Sequence, residues 1–189
     1  IAICDDDDYW HDNTKLQKQV EILENDPSVG LVHTNFRYYY PKNNRYKEVK
    51  IKNDNKKDVF QGLFDGDYMI INSTVVFRRD LLDKYVNLND YIKYNFPTQD
   101  WVTWMQIAKF TKFFHLPVST ATYCVSDISV TRSSSFNNLT ERYEREKMMY
   151  KYVCEKFPTD VKYDEARWNE HVNKIFLAFS LNTGDFKRA

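Results

Sequence analysis

Four consecutive carboxylates, Asp5, Asp6, Asp7 and Asp8, follow a short apolar run, Ile1-Ala2-Ile3-Cys4, and stand before Tyr9-Trp10. Adjacent aspartates repel one another, and Asp is a poor residue for the interior of a helix or strand. A packed core does not select such a run. It makes sense where a strand leaves its sheet and meets a cation, because hard divalent ions such as Mg²⁺ and Mn²⁺ prefer carboxylate oxygens. In open α/β sheets, ligands gather at the carboxyl ends of the strands, which is where this run would lie. A solvated acidic turn is the plainer reading of the same residues. A second group is Pro97-Thr98-Gln99-Asp100-Trp101-Val102-Thr103-Trp104-Met105-Gln106-Ile107-Ala108. Thr98 can cap a helix there, and Asp100 falls in its first turn, where the macrodipole favours the ionised carboxyl. That alone predicts a low pKa for Asp100 and, at the least, a helix-stabilising acid.

The elements that must position these groups are legible in outline. Ile1 and Ile3 are β-branched, in a run too short for a helix, so it reads as the end of a buried strand. His11 to Glu24 reads as a helix with Leu16, Val20 and Leu23 on its apolar stripe, stopped by Asn25-Asp26-Pro27. Val29-Gly30-Leu31-Val32-His33 reads as a buried strand, and Phe36 to Ile51 as a hairpin turning at Pro41-Lys42-Asn43-Asn44. The charged loop Lys52 to Asp58 carries no nameable chemistry. Thr74 to Phe77 is strand-like, and a short helix starts at Asp80. Trp101, Trp104, Met105 and Ala108 share one helical face, expected in the core. His115, in Phe113-Phe114-His115-Leu116-Pro117, is expected to be structural rather than a metal ligand. From Leu139 onward the pattern is helical, interrupted at Pro158 and closed near Gly184.

Composition narrows the class. The 189 residues carry 27 Lys+Arg against 27 Asp+Glu, a formal net charge of zero. A nucleic-acid binder would show a basic footprint. Aromatics make up 16% of the chain, enough to stack on sugars as well as to fill a core. Cys4, Cys124 and Cys154 are far apart and lack CxxC spacing, which argues against a zinc site or a disulfide framework and for a reducing compartment. No apolar stretch approaches the ~18 residues of a membrane span.

The run Ile1 to Trp10 resembles the Asp-X-Asp signature of family 2 glycosyltransferases of the GT-A class: an apolar strand, then Asp-small-Asp-Asp, then an aromatic pair. Asp5, Asp7 and Asp8 take the acidic positions and Asp6 the small one. Asp100 resembles the aspartate that serves as general base in that family, with Gln99 where the family has another acid and Trp101 as the aromatic that follows. Tyr123, Ser129 and Thr131 match a third family segment, with Cys124 and Ser126 standing where an Arg and a His are usual and Arg132 able to take over their work. The resemblance implies a Rossmann-like α/β fold with a mixed sheet, in which residues 1–136 form the later part of the transferase domain and 137–189 a helical C-terminal extension. Because the chain opens inside a strand, it is expected to lack the first part of that domain, with most base and ribose contacts, and to be inactive by itself.

The implied reaction moves a sugar from a nucleotide-diphosphate donor to a hydroxyl of a saccharide or lipid-linked acceptor, with inversion, in bacterial surface polysaccharide or glycolipid synthesis. Asp5 and Asp7 would hold Mn²⁺ or Mg²⁺; Asp5, Asp6, Asp8, Gln99 and Trp101 would contact substrate; Asp100 would be the base. The implied location is the cytoplasm, with room for a peripheral contact at the inner face of the membrane and for a homodimer, and with no nucleic-acid partner. The rival reading is a non-catalytic carbohydrate-binding or scaffold module.

Overall fold

The computed structural model describes residues 1–52, 58–66, 68–125 and 136–183. They fall into two units: residues 1–87 with 100–129, and residues 88–99 with 130–189. Ser126, Ser129, Thr131, Arg132 and Gly184, named above, and residues 53–57 of the charged loop lie outside the described residues.

The first unit is built on two long parallel neighbours, β2 (Val29–Tyr40) and β5 (Lys112–Cys124). Val29, Leu31, Val32 and Phe36 of β2 are at most 3% exposed, as expected of a strand covered on both faces. β1 (Tyr9–Trp10) pairs antiparallel with the far edge of β5. The other edge of β2 is shared. β4 (Val76–Phe77) pairs with Leu31 and Val32, and β3 (Arg45–Val49) with Phe36 to Tyr40, both antiparallel. The result is the mixed α/β sheet expected, in the order β1-β5-β2-β3 with β4 beside β2. The β2–β5 register shifts around Thr34, Asn35 and Phe36, where Asn35 pairs with Ser119 directly after Thr34 pairs with Leu116. Pro117 lies in that gap, where a residue without an N–H costs the ladder nothing. β4 pairs with β2 only before this bend, and β1 pairs with β5 only after it.

Ile1 to Ile3 runs beside β4, with Phe77 N–H donating to Ile1 O at 2.8 Å and Ile3 N–H to Val75 O at 3.3 Å. The chain therefore passes from the β4 side to the β5 side through residues 4–8, the acidic run itself. α1 (Lys15–Asn25) then lies on the sheet, but its buried side is not the expected one. Leu16 and Val20 are 43% and 38% exposed, whereas Lys15 and Gln19 are 1% and 0% exposed beside Leu23. The helix is turned by one residue because the sheet offers acceptors. Gln19 Nε2 donates to Val32 O at 2.7 Å and Thr74 O at 2.9 Å, and Lys15 Nζ to Gln19 Oε1 at 2.6 Å and Thr74 O at 3.2 Å. Burial without a carboxylate partner lowers the Lys15 pKa to about 8.

A 3-10 turn, Asn72–Thr74, leads into β4, and α2 (Val59–Asp65) and α3 (Asp80–Tyr85) flank these strands. α5 (Gln99–Ala108) buries Val102, Trp104, Met105, Gln106 and Ile107; Trp101 and Ala108 are only partly covered. The Trp104 ring meets Phe77 edge-on at 5.4 Å, an arrangement the ring quadrupoles favour. His115 is structural, as expected: Asn35 Oδ1 accepts Ile51 N–H at 2.8 Å, so His115 Nε2, 3.0 Å from the same oxygen, is the protonated nitrogen.

The second unit is helical: α4 (Leu88–Tyr94), α6 (Phe136–Lys156) and α7 (Glu165–Thr183). Tyr152 of α6 donates to Asp90 of α4 at 2.7 Å and packs its ring against Phe96 and Tyr94, with centroids 5.2 and 5.4 Å away. α6 meets α7 through Tyr150 on Trp168 and Phe136 on Phe176, at 5.1 and 4.9 Å. No helix among the described residues is long and apolar enough to cross a membrane.

Candidate active site

The acidic run is a tight turn, closed by Asp8 N–H donating to Asp5 O at 3.1 Å. Its scaffold is the Asn72–Thr74 turn. Ser73 Oγ accepts Asp5 N–H at 3.0 Å and donates its own proton to Asp8 Oδ2 at 2.6 Å. One hydroxyl thus ties both ends of the acidic turn together. Asn72 Nδ2 donates to Asp5 Oδ1 at 2.7 Å, and Trp10 Nε1 donates to Ser73 O at 2.9 Å. The second Asp8 oxygen takes Cys124 N–H from the end of β5 at 3.0 Å. Behind this platform, Lys15 and Gln19 hold the Thr74 carbonyl. The platform is therefore pinned from α1, β1 and β5 at once.

These bonds divide the four carboxylates. Asp8 is half-buried and bonded through both oxygens; burial pushes its pKa up, the two hydrogen bonds oppose that, and Asp7 and Asp5 add to the rise. Asp5 is half-buried with one oxygen engaged. Asp6 and Asp7 are exposed and accept no hydrogen bond among the described residues. Among the described residues no three His, Cys, Asp or Glu side chains converge as a metal site. Asp5 keeps one carboxylate oxygen and Asp7 both without a hydrogen bond among the described residues, and carboxylate oxygens are the donors that Mg²⁺ and Mn²⁺ prefer.

Asp100 opens α5, its Oδ1 accepting Trp101 N–H at 2.8 Å. The low pKa expected from the helix start is not what its surroundings give. Burial raises it, against the Trp101 bond, and the Asp5 carboxylate adds to the rise. Desolvation is the largest cause, because the side chain is partly covered as well as near the helix end. Asp5 and Asp100 belong to the same unit. Trp101 points its Nε1 at Leu63 O, 3.3 Å away, and Gln99 is exposed at the start of the helix. Asn72 and Ser73 are the site residues that sequence reasoning missed. Their signal was a polar Asn-Ser-Thr triplet directly before the apolar strand Val75 to Phe77.

The acidic turn is locked to a Ser-bearing turn, and a second, partly covered acid lies in the same unit. Residues 1–86 match the model of the Glycosyl transferase family 2. No curated protein matches the chain. The family 2 stretch contains the acidic turn, Lys15, Gln19, Asn72 and Ser73, and it ends before Asp100. It supports a role in glycosyl transfer, with a nucleotide-sugar donor and an acceptor as substrates, in a family that generally uses divalent metals.

Proposed function

We propose that this chain is the later part of an inverting, metal-dependent glycosyltransferase that moves a sugar from a nucleotide-diphosphate donor to a hydroxyl of a saccharide or lipid-linked acceptor. The observation that carries the reading is an acidic turn anchored by Asn72 and Ser73, with Asp100, partly covered at the start of α5, in the same unit. Asp5 and Asp7 would hold Mn²⁺ or Mg²⁺, which when bound neutralises charge on the leaving diphosphate. Asp8, with both oxygens engaged, sets the shape of the turn, and its place in the site is to position Asp5 and Asp7. Asp6 and Trp101 border the substrate space, and Gln99 is kept as a substrate contact. Asp100 accepts the proton of the attacking hydroxyl; a pKa raised by burial brings its basicity nearer the operating pH, where a general base is most effective.

The division at residues 136 and 137 into a transferase part and a helical extension belongs to the same proposal. So do a cytoplasmic location with a peripheral membrane contact, and a role in bacterial surface polysaccharide or glycolipid synthesis.

Two substitutions test it. Asp100→Asn keeps shape but cannot take a proton, so donor binding should persist while kcat falls by about 10²–10⁴-fold, the usual share of a general base. In the wild type, kcat should be lost on the acid side at a pH above the ordinary carboxylate range, because the raised pKa leaves Asp100 protonated earlier as pH falls. A small drop in melting temperature with near-normal turnover would make Asp100 a helix-stabilising acid only. Asp7→Asn removes an exposed carboxylate that supports nothing in the fold. It should abolish the Mn²⁺-dependence of donor binding in calorimetry and leave the melt unchanged; unaltered Mn²⁺-dependent binding would end the metal assignment.

A further inference from the structure

Beyond the bend, one face of the sheet carries a row that crosses all four strands. Tyr9, Thr122, Arg37 and Glu48 are direct neighbours in register, so their side chains rise on the same side. Tyr9 from β1 and Tyr46 from β3 meet above the inner strands, hydroxyl to hydroxyl at 3.1 Å. Arg37 is half-buried beneath them. Its guanidinium lies 4.5 Å from the centre of the Tyr46 ring, and its Nε donates to Thr122 Oγ1 at 2.9 Å. With that proton accepted, Thr122 can donate to His11 Nδ1, 3.0 Å away, which leaves the His11 proton on Nε2. Burial first, and then the Arg37 charge, hold His11 below its ordinary pKa and hence neutral.

Among the described residues no carboxylate forms an ion pair with Arg37. Glu48, opposite it, is exposed and stays out of range. A half-buried guanidinium without a carboxylate partner, held flat by a ring, by Thr122 and by the Tyr9 hydroxyl, is a preformed cation for an oxyanion. Tyr9 and Tyr46 are 37% and 46% exposed and offer ring faces and hydroxyls beside it. The cluster begins one residue after Asp8, so whatever sits there lies next to the acidic turn.

We infer that Arg37, with Tyr9, Tyr46 and His11, binds an anionic group, carboxylate or phosphate, carried by the acceptor saccharide. The inference rests on the glycosyl-transfer reading for the word acceptor, and it narrows the substrate to acidic glycans. The cation fixes the charged group, the two phenols bond to neighbouring hydroxyls, and the ring faces cover C–H surface of the sugar. A neutral sugar would leave the Arg37 charge without a counter-charge.

Saturation-transfer NMR on the protein, with neither donor nor metal present, tests it with D-glucuronate, D-glucose and inorganic phosphate as probes. Glucuronate should bind about tenfold or more tightly than glucose, the margin of a charge-assisted contact. Arg37→Gln should erase that preference without changing the melt, and Arg37→Lys should keep part of it. Displacement of glucuronate by phosphate shows that the site takes either oxyanion; binding of phosphate with no response to glucuronate assigns it to a phosphorylated sugar. Equal binding of glucose and glucuronate, or glucuronate binding unchanged in Arg37→Gln, overturns the proposal. Anion binding seen only in Glu48→Gln overturns it too, since Glu48 is then the natural partner of Arg37. Because the assay contains no donor, it can fail while sugar transfer is intact, and it can succeed in a protein that transfers nothing.

Discussion

Ser73 is the residue on which the acidic turn depends. Its hydroxyl accepts Asp5 N–H and donates to Asp8 Oδ2, so Ser73→Ala leaves a partly buried donor and one oxygen of a partly buried carboxylate without partners. Removing one side of such a pair costs about 1–3 kcal/mol. The turn is local, so the expected outcome is a modest fall in melting temperature with a large loss of Mn²⁺-dependent donor affinity. A variant that melts lower yet binds donor normally would show that the turn keeps its shape without Ser73. The sequence announces the four aspartates by repetition, since nothing else explains adjacent carboxylates after an apolar run. It does not announce Ser73. A serine acquires that role only through a partner 68 positions away, and no local pattern encodes such a distance. The helix start at Asp100 was legible, but the direction of its pKa shift was not, because partial cover by distant elements decides that.

At the level of elements, the pairing of β2 with β5 sets two histidines face to face. His33 and His115 stack with centroids 4.9 Å apart, and His33 also meets the Tyr68 hydroxyl at 3.1 Å. Burial, reinforced by His115, lowers the His33 pKa to about 3. The unfolded chain takes up a proton near the ordinary histidine value of about 6.5, while the folded chain does not until about pH 3. Stability from this site is therefore fully present above the unfolded value and is lost progressively as pH falls from there toward the folded one. Urea midpoints measured across that window should decline, and His33→Phe should flatten the decline; an equally steep slope in the variant would move the acid sensitivity elsewhere. Strand identities such as Val29 to His33 were readable because apolar runs leave few alternatives. The buried side of α1 was not. Lys15 and Gln19 look like solvent residues until the carbonyls of Val32 and Thr74 are placed beside them, and an apolar-stripe argument assigns the helix to Leu16 and Val20 instead.

For the whole molecule, the chain passes between its two units more than once. Residues 88–99 group with the C-terminal helices although they lie between parts of the sheet unit in sequence. Composition gave no sign of this, since α4 is a short polar-looking helix whose partners come from α6. The proposed boundary at residue 136 can be tested on that basis. A chain ending there loses Tyr152, and with it the bond to Asp90 and the ring that packs on Phe96 and Tyr94. Phe96 is 4% and Tyr91 8% exposed in the full chain. The shortened chain should bind a hydrophobic dye and lose the cooperative melt of the 88–99 segment. A dye-silent, cooperatively melting product would support 136 as a true domain limit.

The bond from Cys124 N–H to Asp8 joins residues 116 positions apart, and it can form only after the whole of β5 has docked on β2. Closing so long a loop comes before any reward from the contact, and non-local parallel pairing is the slow part of folding. Asp8 therefore reaches its full set of partners only when the distant end of β5 is in place. Until β5 docks, the acidic turn has only its bonds to Asn72 and Ser73, and one Asp8 oxygen waits for its partner.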